Sequence, residues 1–450
     1  MKDLTKGNEF NIIFRFAVPM LIGNLFQQIY SIIDSIIVGQ VIGKDALAAV
    51  GASFPISYTL IAFVIGIGSG GTIIISQYFG AKNILKVRQM IDTMLIFMFL
   101  SAIVVTAVGL IFSRDIFILL QLPPELIDSA VTYLNIFFIG SITMFGFNAT
   151  ISILRGLGDS ITPLYFLMLA AFLNIVLDLT FVLVFHWGIA GVAWATVLAQ
   201  GIAFIANVLY LNKSNKVFKI TLQIPTFNRN LFLKSVKIGL PTGFQQTFVA
   251  LGMVAIMGIV NGFGTDVIAA YTAAGRIDTI ASMPAMSLAT ALSMFVGQNA
   301  GANRFDRIRR GLISTIIMSG IVSITVSIAA WAFGAQLIGM FTSEPEVIRI
   351  GTQYLVIVSS FYILFSTMFS ITGVMRGAGA TLIPMFITLF SLWIIRIPIA
   401  YFLSDIFGSK GIWWAIPVAW LFGMIGTSIY YKTGKWRSAV VVTNKDRIEI

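Results

Sequence analysis

The chain has no cysteine and only one histidine, His186, among its 450 residues. The first absence excludes disulfides, thiolate metal sites and thiol catalysis. The second excludes a histidine-built zinc centre, which needs several ligands. Charge is scarce as well: Asp, Glu, Lys and Arg make up 10% of the residues, against about 25% in a soluble domain. Apolar side chains fill the difference, at 58%. Long apolar stretches recur along the whole chain, each near the roughly 20 residues that cross a bilayer. Gly, Pro and charge clusters divide them into about twelve spans, near 12–41, 46–76, 89–112, 127–153, 162–186, 189–211, 233–261, 267–297, 311–338, 347–374, 381–403 and 411–431. The expected fold class is therefore all-α, a polytopic membrane protein. Pro19 interrupts the first stretch, which runs past signal-peptide length, so it is expected to remain as a span.

The net charge of +11 invites a nucleic-acid reading, but its distribution argues against one. With the N-terminus placed in the cytoplasm, the inner loops carry Lys82, Lys86 and Arg88, then Lys213, Lys216, Lys219, Arg229, Lys234 and Lys237, then Arg304, Arg307, Arg309 and Arg310. The outer loops carry only Lys44, Arg114, Arg349 and Lys410. This is the positive-inside pattern over short loops, with both termini cytoplasmic. No nucleic-acid partner is expected.

The sequence repeats itself at a spacing of 221 residues. Gln77, Gly80 and Ala81 recur as Gln298, Gly301 and Ala302; Arg155-Gly-Leu-Gly158 and Pro163 recur as Arg376-Gly-Ala-Gly379 and Pro384; Gly43 and Asp45 recur as Gly264 and Asp266. Each half holds six spans, so both halves enter the membrane in the same orientation, as parallel repeats do. The expected organisation is an N-terminal lobe over 1–211, a basic cytoplasmic linker over 212–230, a C-terminal lobe over 231–432 and a tail over 433–450. Two such lobes suit alternating access by rocking.

Asp34 and Asp178 lie deep in spans, where a charge costs roughly 3 kcal/mol on insertion scales. Helical spacing puts Gln27, Tyr30 and Asp34 on one face and Asn174 and Asp178 on another. Thr196 lies mid-span and Asn148 late in the fourth span. Carboxylates, amides and a hydroxyl are hard oxygen ligands, suited to Na+ or to a proton shared between acids. The positions 221 residues on from Asp34, Asn174 and Asp178 are Ala255, Ile395 and Ile399, so the cluster belongs to one half only.

Other features have blander readings. Arg276 and Asp278 are expected as a buried ion pair lining a cleft, and Arg396 as a snorkelling or paired charge. Arg155 and Arg376 are expected to cap helix ends and face the cytoplasm, and His186 to sit at an interface. Gly66, Gly68, Gly70 and Gly71 lie inside a span with no following Lys, which fits close helix packing better than a phosphate loop. Pro19, Pro55, Pro241 and Pro284 interrupt spans and would let them bend. Eighteen Met and 38 Phe suit membrane filler and promiscuous apolar surfaces alike.

Taken together, Pro19, Gln27-Gln28 and Asp34, then Gly39, Gly43-x-Asp45-Ala46, Gln77-x-x-Gly80-Ala81 and the paired Arg-Gly-x-Gly motifs resemble the multidrug and toxic compound extrusion (MATE) transporters over essentially the whole chain. The likeness is to the bacterial branch with DinF-like and MepA-like members. It implies Asp34, Asn174, Asp178 and Thr196 as the cation or proton site, with Tyr30, Gln27 and Asn148 beside it. The NorM branch uses acids in the seventh and tenth spans, and 233–261 and 347–374 hold none here.

The expected function is secondary antiport: export of amphipathic, often cationic compounds against inward H+ or Na+. No cofactor beyond the coupling ion is expected, and the chain is expected to act as a monomer in a prokaryotic plasma membrane. The alternative is a flippase for lipid-linked or polysaccharide precursors, which needs a more cationic cleft than Arg276 and Arg396 provide. A channel would pass currents faster than stoichiometric exchange. An enzyme would need a nucleophile and base paired at membrane depth, and none stands out.

Overall fold

The structure, a computed structural model, describes residues 2–214, 226–443 and 446. Most of the expected linker (215–225) and part of the tail fall outside that set. Among the described residues every regular element is helical. Helices are the natural result for apolar runs in lipid, because each backbone N–H and C=O is satisfied within its own segment.

The chain order is α1 (Glu9–Ile37), α2 (Lys44–Gly80), α3 (Ile84–Leu119), α4 (Pro124–Ile139), α5 (Ser141–Gly156), α6 (Ile161–Leu179), α7 (Gly188–Ser214), α8 (Arg229–Asn261), α9 (Thr265–Gly301), α10 (Phe305–Gly339), α11 (Pro345–Ser359), α12 (Tyr362–Ala378), α13 (Leu382–Leu389), α14 (Ile397–Phe407) and α15 (Ser409–Lys432). Nine stretches among the described residues are long and apolar enough to cross a membrane. Two further spans are bent pairs: α4 with α5 at 51°, and α11 with α12 at 49°. Each pair covers one expected span, 127–153 and 347–374. The breaks fall at Gly140 and at Ser360–Phe361, near-equivalent positions of the repeat. α2 adds another rod of 37 residues, about 55 Å at 1.5 Å per residue.

Pro19, Pro55, Pro241 and Pro284 sit inside α1, α2, α8 and α9, which run on through them.

The helices form two compact units. One consists chiefly of Ile22–Ile75 and Asn83–Gly243; the other of Asp3–Leu21, Ser76–Lys82 and Phe244–Ile450. The first half of α1 and the last turn of α2 thus belong with the C-terminal helices, and the first half of α8 with the N-terminal ones.

Within the second unit the repeated Gln-x-x-Gly motif acquires a physical meaning. A Cβ at Gly301 would lie 1.8 Å from the carbonyl oxygen of Gln77, and one at Gly80 would lie 2.0 Å from that of Gln298. The contact is reciprocal, so glycine is the only residue the crossing of α2 and α9 admits at either position. The glutamine side chains hold the chain's ends: Gln298 Oε1 accepts from Leu4 N at 2.9 Å, and Gln77 Oε1 accepts from Val441 N at 2.8 Å. Gln77 Nε2 donates to Gly377 O at 3.0 Å. In the first unit, Gly66 and Gly70 pack on the backbone of Gly243 and Ser235, as close-packing glycines should.

The Arg-Gly-x-Gly motifs work differently from expectation. The helix ends are closed by backbone donors: Gly158 N to Arg155 O at 3.0 Å and Gly379 N to Arg376 O at 2.9 Å. The glycines adopt φ of +81° and +93°, the left-handed ending that glycine favours. The arginine side chains are not the caps. Arg155 Nε is instead buried with no acceptor.

Candidate functional site

The first unit gathers most of the expected residues into one nucleus. α6 starts at a cap: Asp159 Oδ1 accepts from the N–H groups of Ile161 at 3.1 Å and Thr162 at 3.0 Å, and Thr162 Oγ1 donates to Asp159 Oδ2 at 2.8 Å. Three turns later Asn174 and Asp178 point to one side, 3% and 0% exposed. Asn174 Nδ2 donates to Thr196 Oγ1 of α7 at 3.3 Å. Asp34 of α1 faces Asp178 within hydrogen-bonding reach. Tyr30 stands beside both acids, bonded to Gln27. The structure thus brings these six residues together.

Each acid sits next to a π-helical turn. Asp34 is followed by Val38–Ile42, closed by Gly43 N to Val38 O at 3.0 Å; Asp178 is followed by Thr180–Val184, closed by Phe185 N to Thr180 O at 3.1 Å. The two turns touch. Such bulges carry one residue too many for α geometry and recur at functional sites. Val38, Val182 and Val192 are fully or nearly buried around them, forming an apolar floor under the acids.

The hydrogen-bonding inventory is lopsided. Asp178 Oδ1, Asp178 Oδ2, Asp34 Oδ1 and Asn174 Oδ1 are all buried, and among the described residues no donor reaches any of them. A buried acceptor without a donor costs about 1–3 kcal/mol. Four together amount to a site short of positive charge. A proton shared between the carboxyls, or a small hard cation among these oxygens and Thr196 Oγ1, would fill it.

Two expectations fail. Asn148 Nδ2 donates to Met144 O of its own helix at 2.8 Å, and no hydrogen bond ties this amide to the acids. Arg276 and Asp278 do not pair: among the described residues no ion pair joins them, and Arg276 is exposed. Two residues apart on a helix, they point in different directions. Asp278 Oδ1 accepts from Tyr362 Oη at 2.5 Å, and Tyr354 is a second phenol donor.

Tyr133 of α4 was missed. It borders Asp34, Tyr30 and Asp178. Its counterpart 221 residues on is Tyr354, which lies against the acid of the second unit. A tyrosine kept between the halves was a signal available in the sequence.

Comparison with known proteins decides the family. The MatE family model matches twice, over residues 19–180 and 241–402, once in each half. The chain is a member of the MATE family. It is 34% identical to the probable multidrug resistance protein YpnP of Bacillus subtilis (strain 168), over 98% of this chain and 99% of that protein. It is 26% identical to the probable multidrug resistance protein NorM of Thermotoga maritima, covering 96% and 94% of the two chains. A multidrug resistance MATE family transporter of the MOP superfamily, solved in an outward-facing conformation, superposes with a TM-score of 0.91 at 23% identity, over 98% of this chain and 99% of that one. That likeness carries the fold. MATE proteins are transporters and not enzymes, so this chain is a multi-pass membrane transporter of the multidrug efflux family.

Proposed function

We propose that this MATE transporter is an antiporter that exports amphipathic, often cationic small molecules against an inward H+ or Na+ gradient, with Asp34, Asn174, Asp178 and Thr196 as the coupling site. One observation carries the reading. Four buried acceptor oxygens converge there with no donor, an arrangement completed by an incoming proton or cation and left incomplete without one. Loading the site satisfies the carboxyls and lets the two π turns close around them. Unloading leaves two anions in a dry nucleus, which favours either reloading or a compensating cationic substrate. Coupling then follows because each ligand stabilises a different state.

The molecule works as a monomer in the plasma membrane with both termini in the cytoplasm, and it needs no cofactor besides the coupling ion. The excess of Lys and Arg in alternate loops supports that orientation.

The test is transport of a fluorescent organic cation into or out of proteoliposomes, with ΔpH and ΔNa+ imposed separately. Wild type should respond to at least one gradient, and Asp34→Asn to neither, while inserting normally. Undiminished gradient-driven exchange by Asp34→Asn would defeat the assignment.

A further inference from the structure

Where α15 ends and α10 begins, the second unit presents a basic, aromatic corner with no part in the coupling site. The apolar stretches 311–338 and 411–431 stop there. Arg309, Tyr431 and Lys432 therefore fall where hydrocarbon gives way to headgroups, a layer about 5–8 Å deep on each side of a bilayer.

The tail turns back on itself at that level. Gly434 takes φ of +70°, which glycine adopts without strain, and Lys435–Ala439 forms a short 3-10 turn. The turn folds Trp436 against the end of α15. Its Nε1 donates to Tyr431 O at 3.0 Å, and its ring stacks on that of Tyr431 at 5.6 Å. Phe305, the first residue of α10, meets Trp436 edge-on at 6.2 Å. Arg437 lies over this cluster, its guanidinium carbon 5.5 Å from the ring centres of both Phe305 and Trp436. Arg309 is exposed, and its charge, like that of Arg437, reaches the Tyr431 hydroxyl.

Neither arginine is spoken for. Arg114, Arg307, Arg310 and Arg349 each have a carboxylate within 4.0 Å, but among the described residues Arg309 and Arg437 have none. Asp306, the acid beside Phe305, is taken by Arg310 at 2.8 Å. Membrane orientation needs only charge. A guanidinium pinned on two rings offers a fixed shape as well.

We propose that Arg309 and Arg437 bind the phosphate of an anionic phospholipid, with the Tyr431 hydroxyl as a further donor. Guanidinium N–H pairs match phosphate oxygens two at a time. The exposed Lys432 and Lys435, beside Tyr431 and Arg437 in the chain, add positive charge. Together the four cations favour a headgroup of net negative charge over a zwitterionic one, whose ammonium they repel. The phosphate is a lipid's because the corner continues into apolar helix faces. Ile313 and Ile317 follow Arg309 at helical spacing on α10, and Ile425 and Ile429 precede Lys432 on α15; all four are exposed. Acyl chains can lie along them. The site predicts lipid binding whatever ion drives the transporter.

Full-length protein in detergent is titrated with dioctanoyl phosphatidylglycerol, dioctanoyl phosphatidylcholine or inorganic phosphate, and bound lipid is counted by native mass spectrometry. Wild type should prefer phosphatidylglycerol to phosphatidylcholine. Arg437→Gln and Arg309→Gln should each weaken phosphatidylglycerol by about tenfold, the loss of one charge-assisted contact, and leave phosphatidylcholine within about twofold. Retained phosphatidylcholine binding also reports a folded protein. Arg437→Lys keeps the charge and loses the fork, and should lose at least about threefold. Lys435→Gln removes the same charge from an unpinned side chain, and should cost about twofold at most.

Equal losses for Arg437→Gln and Lys435→Gln would reduce the corner to diffuse surface charge and overturn the proposal. So would unchanged phosphatidylglycerol binding in both arginine variants. Inorganic phosphate at the same concentration as the lipid should displace little of it; full displacement would assign the corner to a dissolved anion and overturn the lipid.

Discussion

The two units bury acids in opposite ways. In the first, Asp34 and Asp178 face each other beside Tyr30 and Tyr133, and among the described residues no side-chain cation pairs with them. In the second, a lone Asp278 is bonded by two phenols and balanced by Arg396. Tyr133 and Tyr354 occupy equivalent places in the repeat, so both nuclei grew from one plan. The surroundings diverged: Val50 and Val192, on the apolar floor of the first nucleus, correspond to Tyr271 and Trp413, which stack at 5.6 Å in the second. The valines of the first nucleus offer the acids no donor, whereas in the second Tyr362 and Tyr354 bond Asp278 and Arg396 stands near enough to balance its charge. On the antiport reading proposed above, an acid left without a partner is the one free to take up a proton or cation, and a partnered acid is not.

The sharpest way to break this contrast is to neutralise one acid at a time. Asp178→Asn should reduce gradient-driven exchange in proteoliposomes by at least about tenfold, because the ligand set then keeps only one of its two ionisable carboxyls. Asp278→Asn should retain exchange within about threefold. If both variants lose transport equally, the two nuclei do not differ in role.

The next effect is on stability. Gly301→Val would drive a side chain into the Gln77 carbonyl and should lower the melting temperature by several degrees, in keeping with overpacking at about 1–3 kcal/mol. Gly275→Ala, with no neighbour within 4 Å, should leave it unchanged. Thermal denaturation followed by a thiol-independent fluorescence readout checks the pair.

Tyr362→Phe removes one donor from Asp278 and should cost about 1 kcal/mol of stability with coupling retained. Tyr133→Phe should instead alter the gradient dependence of exchange more than the melting temperature. An inverted outcome would reverse the assignment of the two tyrosines.

The smallest effect is expected at Asn148. Its amide bonds only its own helix, so Asn148→Ala should transport within about twofold of wild type. A loss as large as that of Asp178→Asn would mean that the amide turns toward the acids during the cycle.

Much of this was legible in the chain. Bilayer thickness fixes span length, so apolar runs alone gave the helical class and nearly every span. The 221-residue repeat gave two matching halves, and period 3.6 placed Asn174 with Asp178 and Tyr30 with Asp34. The bends within α4–α5 and α11–α12 were hidden, because an apolar run reads the same whether straight or broken. The fate of Asn148, Arg276 and Arg396 was hidden too. Each offers several polar groups, and which partner it meets depends on helices far away in sequence.

Sequence by itself determined that this chain is rich in membrane-spanning helices, that its two halves repeat one motif set, and that its N-terminal half carries intramembrane acids absent from the equivalent positions of the other half. Those are properties of composition, period and register, which need no knowledge of packing. Only the tertiary structure decided that the glutamine–glycine motif is a reciprocal helix crossing, that four oxygens meet without a donor, and that Asp278 answers to tyrosines and not to Arg276. A hydrogen bond is settled by distances of a few tenths of an ångström between separate helices, and that is information no single segment contains.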